Sequence, residues 1–279
     1  MQRAVAPMTQ EEHLLLNELI SGEFGICFPE HRRDMLEARL RPRVQALRLG
    51  RFLDYYLQLR CDGDGERARL AELVTNNETY FFREAHQFAA LFEEALPELR
   101  ERAARPGTLR LLSAGCSSGE EPYTLAILAR QHGVRLAGVE VTIDAFDLDP
   151  RRVELAHGAE YGRGSLRSLD PEQVRRWFSP LAGERFALQP LFRLGVRFAR
   201  ANLLHYPSFA PPLPYDAVFC RNVLIYFSEP ALHRALDHFA RLLRPGGLLF
   251  LGHAESIIGL SDQFATVRLG PTTIAYRRA

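Results

Sequence analysis

The chain has 279 residues, of which 47% are hydrophobic and 25% are charged, and its formal net charge is +1. This composition predicts a soluble globular protein of one large or two moderate domains, and the near-neutral charge means that any basic surface must be local. Four scattered cysteines without a Cys-x-x-Cys pair, histidines without metal-ligand spacing and no apolar run of about 18 residues predict a cytoplasmic protein with no disulfide framework, metal site or membrane span.

Residues 1–75 show the periodicity of an all-α domain. Thr9-Gln-Glu-Glu has the pattern of a capped helix start. The stretch from His31 to Arg48 carries an apolar stripe, and Pro42 within it should kink that helix or begin a new one. Two more helices are predicted, at Phe52–Leu59 and Glu66–Val74, with a loop at Cys61–Gly65 between them.

Arginines are concentrated in the second helical stretch. They are Arg32, Arg33, Arg39, Arg41, Arg43 and Arg48. On a straight helix, Arg32, Arg39 and Arg43 point within about 40° of one another. One interpretation is a solvated face beside a core stripe, and the other is a docking surface for an acidic partner. Aromatic residues do not alternate with these charges, which argues against single-stranded nucleic acid as the partner.

Residues 76–92 read as a linker, but an unusual one. Polar Asn77 and Thr79 stand directly before the three aromatics at 80–82, and Arg83 follows them. Three consecutive aromatics must be buried, so we expect them to dock the linker on the larger domain. Asn77, Thr79 and Arg83 would then lie at a domain interface, where ligand sites often occur.

A strand, a turn of small residues and a helix open the second half of the chain. The strand is Leu109–Leu112, the turn includes Gly115, and the helix begins at about Glu120. This unit is typical of nucleotide-binding α/β domains, although an ordinary strand-turn-helix remains the alternative. Glu120 and Glu121 in the first helical turn would repel a phosphate, so the turn favours a cationic or neutral ligand such as S-adenosylmethionine.

The second predicted strand, Val141–Phe146, ends at Asp147. An acidic residue at this place, one strand after the small-residue turn, can accept both hydrogen bonds of a ribose diol. Asp149 has a structural explanation instead, because Asp149 and Pro150 are a good N-cap and first residue for the helix that follows.

A less regular segment follows. Pro171–Phe178 is predicted to be helical, and Arg185–Leu188 with Phe192–Phe198 is predicted to form an antiparallel hairpin. We interpret residues 182–200 as a small β-subdomain inserted between strands of the main sheet, which could bind a partner peptide by strand addition.

The rest of the chain again alternates strand and helix. Tyr215–Cys220 is a buried strand that leads into the polar pair Arg221-Asn222, at the end of a strand where α/β ligands bind. The remaining predictions are a helix from Ser228 to about Arg244, a strand at Leu248–Gly252, and an antiparallel pair formed by Phe264–Leu269 and Thr273–Arg277.

Together these segments resemble the CheR-type chemotaxis receptor glutamate O-methyltransferases over nearly the whole chain. The matching motifs are Asn77-Glu-Thr79-Tyr-Phe-Phe-Arg83, Gly119-Glu-Glu-Pro-Tyr123, Asp147-Leu-Asp149, Asn202-Leu-Leu204 and Cys220-Arg-Asn-Val-Leu-Ile-Tyr-Phe227.

The resemblance implies an all-α N-terminal domain at residues 1–75, a linker at 76–92 and a methyltransferase domain at 93–279. The latter would be an α/β, Rossmann-like, S-adenosylmethionine-dependent domain with a small antiparallel β-subdomain. By position, the family's cofactor contacts fall on Asn77, Thr79, Arg83, Gly115, Glu120 (or its neighbour Glu121), Asp147, Asn202, Leu203, Arg221 and Asn222. Arg83 and Tyr226 are the candidates for shaping the catalytic pocket.

The implied activity is methyl esterification of glutamates on cytoplasmic helices of methyl-accepting chemotaxis receptors, for sensory adaptation. The expected partner is the acidic, helical methylation region of the receptor, with a possible C-terminal receptor peptide at the β-subdomain. The protein would meet the membrane only through the receptor, and no nucleic acid is expected. A nicotinamide-dependent oxidoreductase and a non-catalytic scaffold are the alternatives, and the carboxylates of Glu120 and Glu121 disfavour the first.

Overall fold

A computed structural model of the protein describes residues 5–61, 64–101, 107–205 and 213–279. The α-helices are α1 (Gln10–Phe24), α2 (Arg33–Ala46), α3 (Phe52–Cys61), α4 (Asp64–Val74), α5 (Ala85–Ala89), α6 (Leu96–Glu101), α7 (Glu120–Gln131), α8 (Pro150–Gly158), α9 (Pro171–Trp177) and α10 (Glu229–Leu242). The strands are β1 (Thr108–Ala114), β2 (Glu140–Asp147), β3 (Glu160–Gly162), β4 (Phe178–Leu181), β5 (Arg185–Leu188), β6 (Val196–Arg200), β7 (Tyr215–Cys220), β8 (Leu243–Leu251), β9 (Phe264–Leu269) and β10 (Thr273–Arg278).

Helices α1–α4 pack around an apolar core of their own. The predicted start of α1 is confirmed, because Thr9 and Glu12 form a reciprocal capping box. Pro42 does not begin a new helix, since α2 runs through it from residue 33 to 46. The predicted loop at Cys61–Gly65 is wrong at both ends, because Cys61 is the last residue of α3 and Asp64 and Gly65 belong to α4. Residues 62 and 63 lie outside the described residues.

The large sheet has the strand order β6-β2-β1-β7-β8-β10-β9. The first five strands are parallel, and β10 pairs antiparallel with β8 on one side and β9 on the other. The pairing of β9 with β10 confirms the predicted antiparallel pair. Parallel strands place their carboxyl ends at one edge of the sheet. The polar residues that follow β1, β2 and β7 are thereby brought together.

The predicted hairpin between Arg185–Leu188 and Phe192–Phe198 is wrong. β5 pairs instead with β4 on one side and β3 on the other, in a separate three-stranded antiparallel sheet that spans residues 160–188. β6 leaves that sheet and joins β2 in parallel at the edge of the large one. The 3-10 turn at Pro190–Arg193 carries the chain away from β5, and alternation alone cannot specify which strand a segment will pair with.

The linker and the small sheet share a core. Phe81 packs edge-on against Tyr161 and Phe178, and Phe82 stacks on Trp177 with ring centroids 5.2 Å apart.

Among the described residues, the helices are all too short or too polar to cross a membrane.

Candidate functional site

A cavity lies at the carboxyl ends of β1, β2 and β7, beneath the linker. Nearly all of the predicted site residues line it: Asn77, Thr79, Arg83, Gly115, Asp147, Asn202, Leu203, Arg221, Asn222 and Tyr226. Glu120 is the exception. The cavity also has apolar walls that sequence reasoning missed. They include Phe24 and Ile26 from the N-terminal segment that contains α1–α4, which is called the helical region below.

Asp147 is the buried carboxylate of the cavity, with 6% of its surface exposed. It accepts the backbone N–H of Ser117 at 2.7 Å and that of Asp149 at 2.9 Å. Burial raises its pKa to about 6, although the two N–H bonds oppose the shift. The carboxylate is therefore fixed at the end of β2, and it exchanges its proton at a pH of about 6, close to neutral.

Of the two neighbouring glutamates, Glu121 lines the cavity and Glu120 does not. Glu120 is 1% exposed and points away from the cavity, where it accepts the hydroxyls of Ser118 and Ser165. Glu121 lines the cavity and accepts the Ser113 hydroxyl at 2.7 Å. Burial raises the pKa of both carboxyls. Neighbouring residues on a helix point about 100° apart, so a one-position ambiguity decides which of them faces the ligand space.

The linker is anchored to the floor of the site by polar contacts. The Asn77 amide donates to Asp149 at 2.9 Å, and its carbonyl accepts the Ser117 hydroxyl at 3.1 Å. Phe82 and Glu84 both have left-handed backbone angles, with φ of 58° and 53°. Strained residues of this kind persist where the surrounding structure holds them, here the aromatic core on one side and the ion pairs of Glu84 on the other.

Arg221 links the linker to the helix after the small-residue turn. It pairs with Glu121 at 3.0 Å and with Glu84 at 3.2 Å, and it also donates to the carbonyl of Arg83. Its guanidinium lies over the ring of Phe88, at 4.9 Å from the centroid. Within the described residues its buried Nε has no hydrogen-bond partner, so this N–H is an unused donor beside the cavity.

Tyr226 is held by both the linker and the helical region. Its hydroxyl accepts a hydrogen bond from the Asn76 amide at 2.6 Å, and its carbonyl accepts the N–H of Cys27 at 2.8 Å. The N–H of Ser228 in turn donates to the carbonyl of Gly25 at 2.8 Å. Asn202 makes a further link, because its amide donates to the Glu23 carbonyl at 2.7 Å.

The arginines of α2 are engaged within the protein. Arg39 donates to the carbonyls of Val74 at 2.7 Å and Thr75 at 3.0 Å, and so caps the end of α4 at the start of the linker. Arg43 forms a two-pronged ion pair with the buried Glu66. Both side chains therefore stabilise the helical region, and docking of an acidic partner by Arg39 and Arg43 stays a prediction.

This arrangement fits a small, uncharged or cationic ligand rather than a pyrophosphate. Asp147 and Glu121 line the cavity, as does the exposed Glu78, which pairs with Arg167, and aromatic and aliphatic walls supply an apolar surface. Gly115 has a φ of +78°, and a Cβ there would lie 2.6 Å from Val223, so only glycine permits this turn. Among the described residues no group of histidine, cysteine or acidic side chains could hold a metal ion.

Comparison with known proteins agrees with this geometry. Residues 77–272 match the family described as CheR methyltransferase, SAM binding domain, and residues 11–75 match the CheR methyltransferase all-alpha domain. The chain is 37% identical to a chemotaxis protein methyltransferase of Klebsiella aerogenes, over 92% of this chain and 87% of that one. It is 36% identical to a chemotaxis protein methyltransferase of Escherichia coli K12, over 89% and 85% respectively.

A further relative, chemotaxis protein methyltransferase 2 of Vibrio cholerae, is 34% identical over 91% of this chain and 88% of that one. Among solved structures, N-methyltransferase NodS from Bradyrhizobium japonicum, in complex with S-adenosyl-L-homocysteine, is 16% identical with a TM-score of 0.41. That match covers 76% of this chain and 97% of NodS.

Proposed function

The chain belongs to the CheR methyltransferase family, and on that premise we propose that it esterifies glutamate side chains on cytoplasmic helices of methyl-accepting chemotaxis receptors. It is a methyltransferase enzyme that uses S-adenosylmethionine. The observation that carries the proposal is the position of Tyr226 and Arg83, which line the same cavity as the buried Asp147. A carboxylate substrate can meet both hydrogen-bond donors there.

We propose that the cofactor's ribose diol bonds to Asp147, whose two oxygens are already ordered by backbone N–H donors. Glu121, rather than Glu120, then takes the acidic position beside the cationic part of the cofactor, because only Glu121 lines the cavity. The other proposed contacts are Asn77, Thr79, Arg83, Gly115, Asn202, Leu203, Arg221 and Asn222, which all line the same space.

The chemistry asks little of the protein beyond positioning. A glutamate carboxylate is already ionised at neutral pH, so no general base is required. When bound, the cofactor supplies a methyl group that is carried on its sulfonium sulfur, and the demethylated cofactor is a neutral thioether. The residues of the chain therefore have to align the carboxylate oxygen with that methyl and exclude water.

Arg83 and Tyr226 are the proposed positioning donors for the substrate carboxylate. Arg83 donates to the carbonyl of Glu78 at 2.9 Å, which leaves other guanidinium donors available. Because the Tyr226 hydroxyl accepts from Asn76, its own proton can donate to the oxygen of the substrate that does not attack. Hydrogen bonds to the oxygen that does not attack orient the carboxylate and leave the attacking oxygen nucleophilic.

Methyl transfer to receptor tests this proposal. Membranes that carry a chemotaxis receptor are incubated with the protein and cofactor labelled in its methyl group. We expect label in the receptor that is released as methanol by mild base, which is diagnostic of an ester. A receptor whose methylation-region glutamates are replaced by alanine is the control. Label that is resistant to base, or that is equal in the control receptor, would refute glutamate esterification.

We further propose that the partner surface includes an acidic helical segment of the receptor, and that the protein works in the cytoplasm and reaches the membrane only through the receptor. A C-terminal receptor peptide could add to an edge of the small sheet, where β3 and β4 are the outer strands. β4 contains Pro180, and a proline has no backbone N–H to donate to an added strand. Methylation of receptors with and without their C-terminal segment distinguishes this mode from docking on the methylation region alone.

A further inference from the structure

Glu255 lies just beyond β8 and makes an unusual set of contacts with the loop after β7. One carboxylate oxygen accepts the backbone N–H of Gly252 at 2.7 Å and that of Asn222 at 2.8 Å. The other accepts the N–H of Val223 at 2.9 Å and that of Ile225 at 3.1 Å. Four backbone donors thus converge on one side chain.

The backbone of the loop explains this convergence. Asn222 is left-handed, with a φ of 60°, and Val223 follows in the right-handed region, with φ −114° and ψ −51°. Successive residues of opposite hand turn their N–H groups towards one point and form a concave anion-binding site, or nest. In this chain the nest already contains its anion, which is the Glu255 carboxylate.

Close packing between the two segments supports the same view. A Cβ on Gly252 would lie 2.6 Å from the amide nitrogen of the Asn222 side chain and 2.9 Å from its backbone nitrogen. The residue that follows β8 therefore has to be a glycine for the loop to approach it. The loop that is held in this way carries Arg221, Asn222 and Tyr226 into the cavity, whereas Glu255 itself does not line it.

We propose that Glu255 is a positioning residue, which fixes the cofactor- and substrate-facing loop by filling its nest. Without the carboxylate, several converging N–H groups would lose their acceptor, and a left-handed asparagine would lose the contact that holds it. Loss of charge-assisted hydrogen bonds is costly, so the loop should relax to other conformations. Cofactor affinity and turnover would both fall, although no group that touches either ligand has been changed.

The role can be tested by removing the carboxylate and returning it as a free ion. In Glu255→Ala we expect the affinity for S-adenosylhomocysteine, measured by calorimetry, to fall by about tenfold or more. Formate should restore part of the loss, because Glu255 is only half-buried and a small carboxylate can reach the nest. Glu154→Ala, an exposed carboxylate on α8, is the matched control and should bind normally with or without formate.

Two outcomes would overturn the proposal: unchanged affinity in the folded variant, or a loss of affinity that formate does not reduce. If Glu255→Ala does not fold, Glu255→Gln decides the question. It keeps the size of the side chain but turns an amide NH₂ towards the N–H donors, so affinity should still fall, and unchanged affinity would again overturn the role. The readout is cofactor binding, so failure of the receptor-esterification proposal would not affect it.

Discussion

Asp147 is a carboxylate whose protonation state should control cofactor binding. Burial raises its pKa to about 6, so the group is largely ionised at pH 7.5 and largely protonated at pH 5. Only the ionised form can accept from both hydroxyls of a diol while it keeps its two backbone donors. In the free protein the same shift means that ionised Asp147 lowers stability as the pH rises from about 4 to 6, because the folded state binds the proton more tightly than the unfolded chain.

We therefore predict that the affinity for S-adenosylhomocysteine falls as the pH drops through 6, towards a limit of about tenfold per pH unit. Calorimetric titrations between pH 5 and pH 8 measure this dependence. Asp147→Asn should bind weakly and keep only the pH dependence that comes from Glu121, which also lines the cavity and whose pKa is also raised by burial. Parent affinity that is flat over this range would show that Asp147 does not accept from the ligand.

Asn76 is a second residue whose role is local and testable. It is exposed, yet its amide donates to the Tyr226 hydroxyl at 2.6 Å. Asn76→Ala should leave the cofactor dissociation constant unchanged and lower kcat by about tenfold, because the Tyr226 proton is no longer directed to the substrate. Tyr226→Phe is the companion variant. If Asn76 acts through the Tyr226 hydroxyl, adding Asn76→Ala to Tyr226→Phe should cause no further loss, whereas additive losses would mean that the two residues act independently.

At the level of elements, the turn after α1 is the point where the helical region contacts the loop after β7 and the start of α10. Gly25 has a φ of +80°, and a Cβ on it would lie 3.0 Å from the Cβ of Ala231 and 3.3 Å from Phe227. Gly25→Ala should therefore lower the free energy of unfolding by about 1–3 kcal/mol and raise the dissociation constant for cofactor, since Phe24 and Ile26 move with the turn.

Gly22→Ala is the matched control, because Gly22 lies within α1 and nothing lies within 4 Å of its missing Cβ. Alanine there should raise stability by about 0.5–1 kcal/mol through helix propensity. Chemical denaturation of both variants measures the pair. A Gly25→Ala protein that is as stable as the parent would mean that the contact between α1 and α10 can adjust freely.

The α2 arginines give a prediction opposite to that of a docking surface. Glu66 has a 5% exposed side chain and is shared between Arg43 and the Tyr55 hydroxyl, and Arg43 keeps its pKa low. Arg43→Glu places two carboxylates together and should destabilise the protein by about 3 kcal/mol. Arg48→Glu, an exposed charge reversal on the same segment, should be nearly neutral. Equal melting temperatures for the two variants would argue against the structural role.

Much of this element-level organisation was accessible from sequence, and the exceptions share a cause. The Asp149 N-cap was predicted correctly, because it depends on neighbours in the chain. The pairing partner of β6 and the contacts of Glu255 and Asn76 were not, because they join residues that are distant in sequence. The contact of Arg39 with the end of α4 is not predictable from sequence for the same reason.

At the scale of the whole molecule, the cavity belongs to both halves of the chain. The catalytic half supplies Asp147 and Arg221, and the helical region supplies Phe24 and Ile26. Asn202 is tied to the helical region through the Glu23 carbonyl. The division that we propose at residue 75, between an N-terminal helical domain and the linker at 76–92, therefore separates units that complete one another's site.

A chain that begins at Thr75 tests this dependence. It keeps Asn77, Thr79 and Arg83, but it loses two apolar walls of the cavity, the Cys27 N–H that donates to the Tyr226 carbonyl, and the carbonyl that accepts from Asn202. We expect the fragment to bind S-adenosylhomocysteine more weakly than the full chain by about tenfold or more, since each buried aliphatic or aromatic wall contributes about 1–2 kcal/mol. Adding residues 1–74 as a separate polypeptide should recover part of the affinity. Calorimetry on a fragment whose folding is first checked by circular dichroism gives the comparison, and equal affinity for the two proteins would show that the linker alone completes the site.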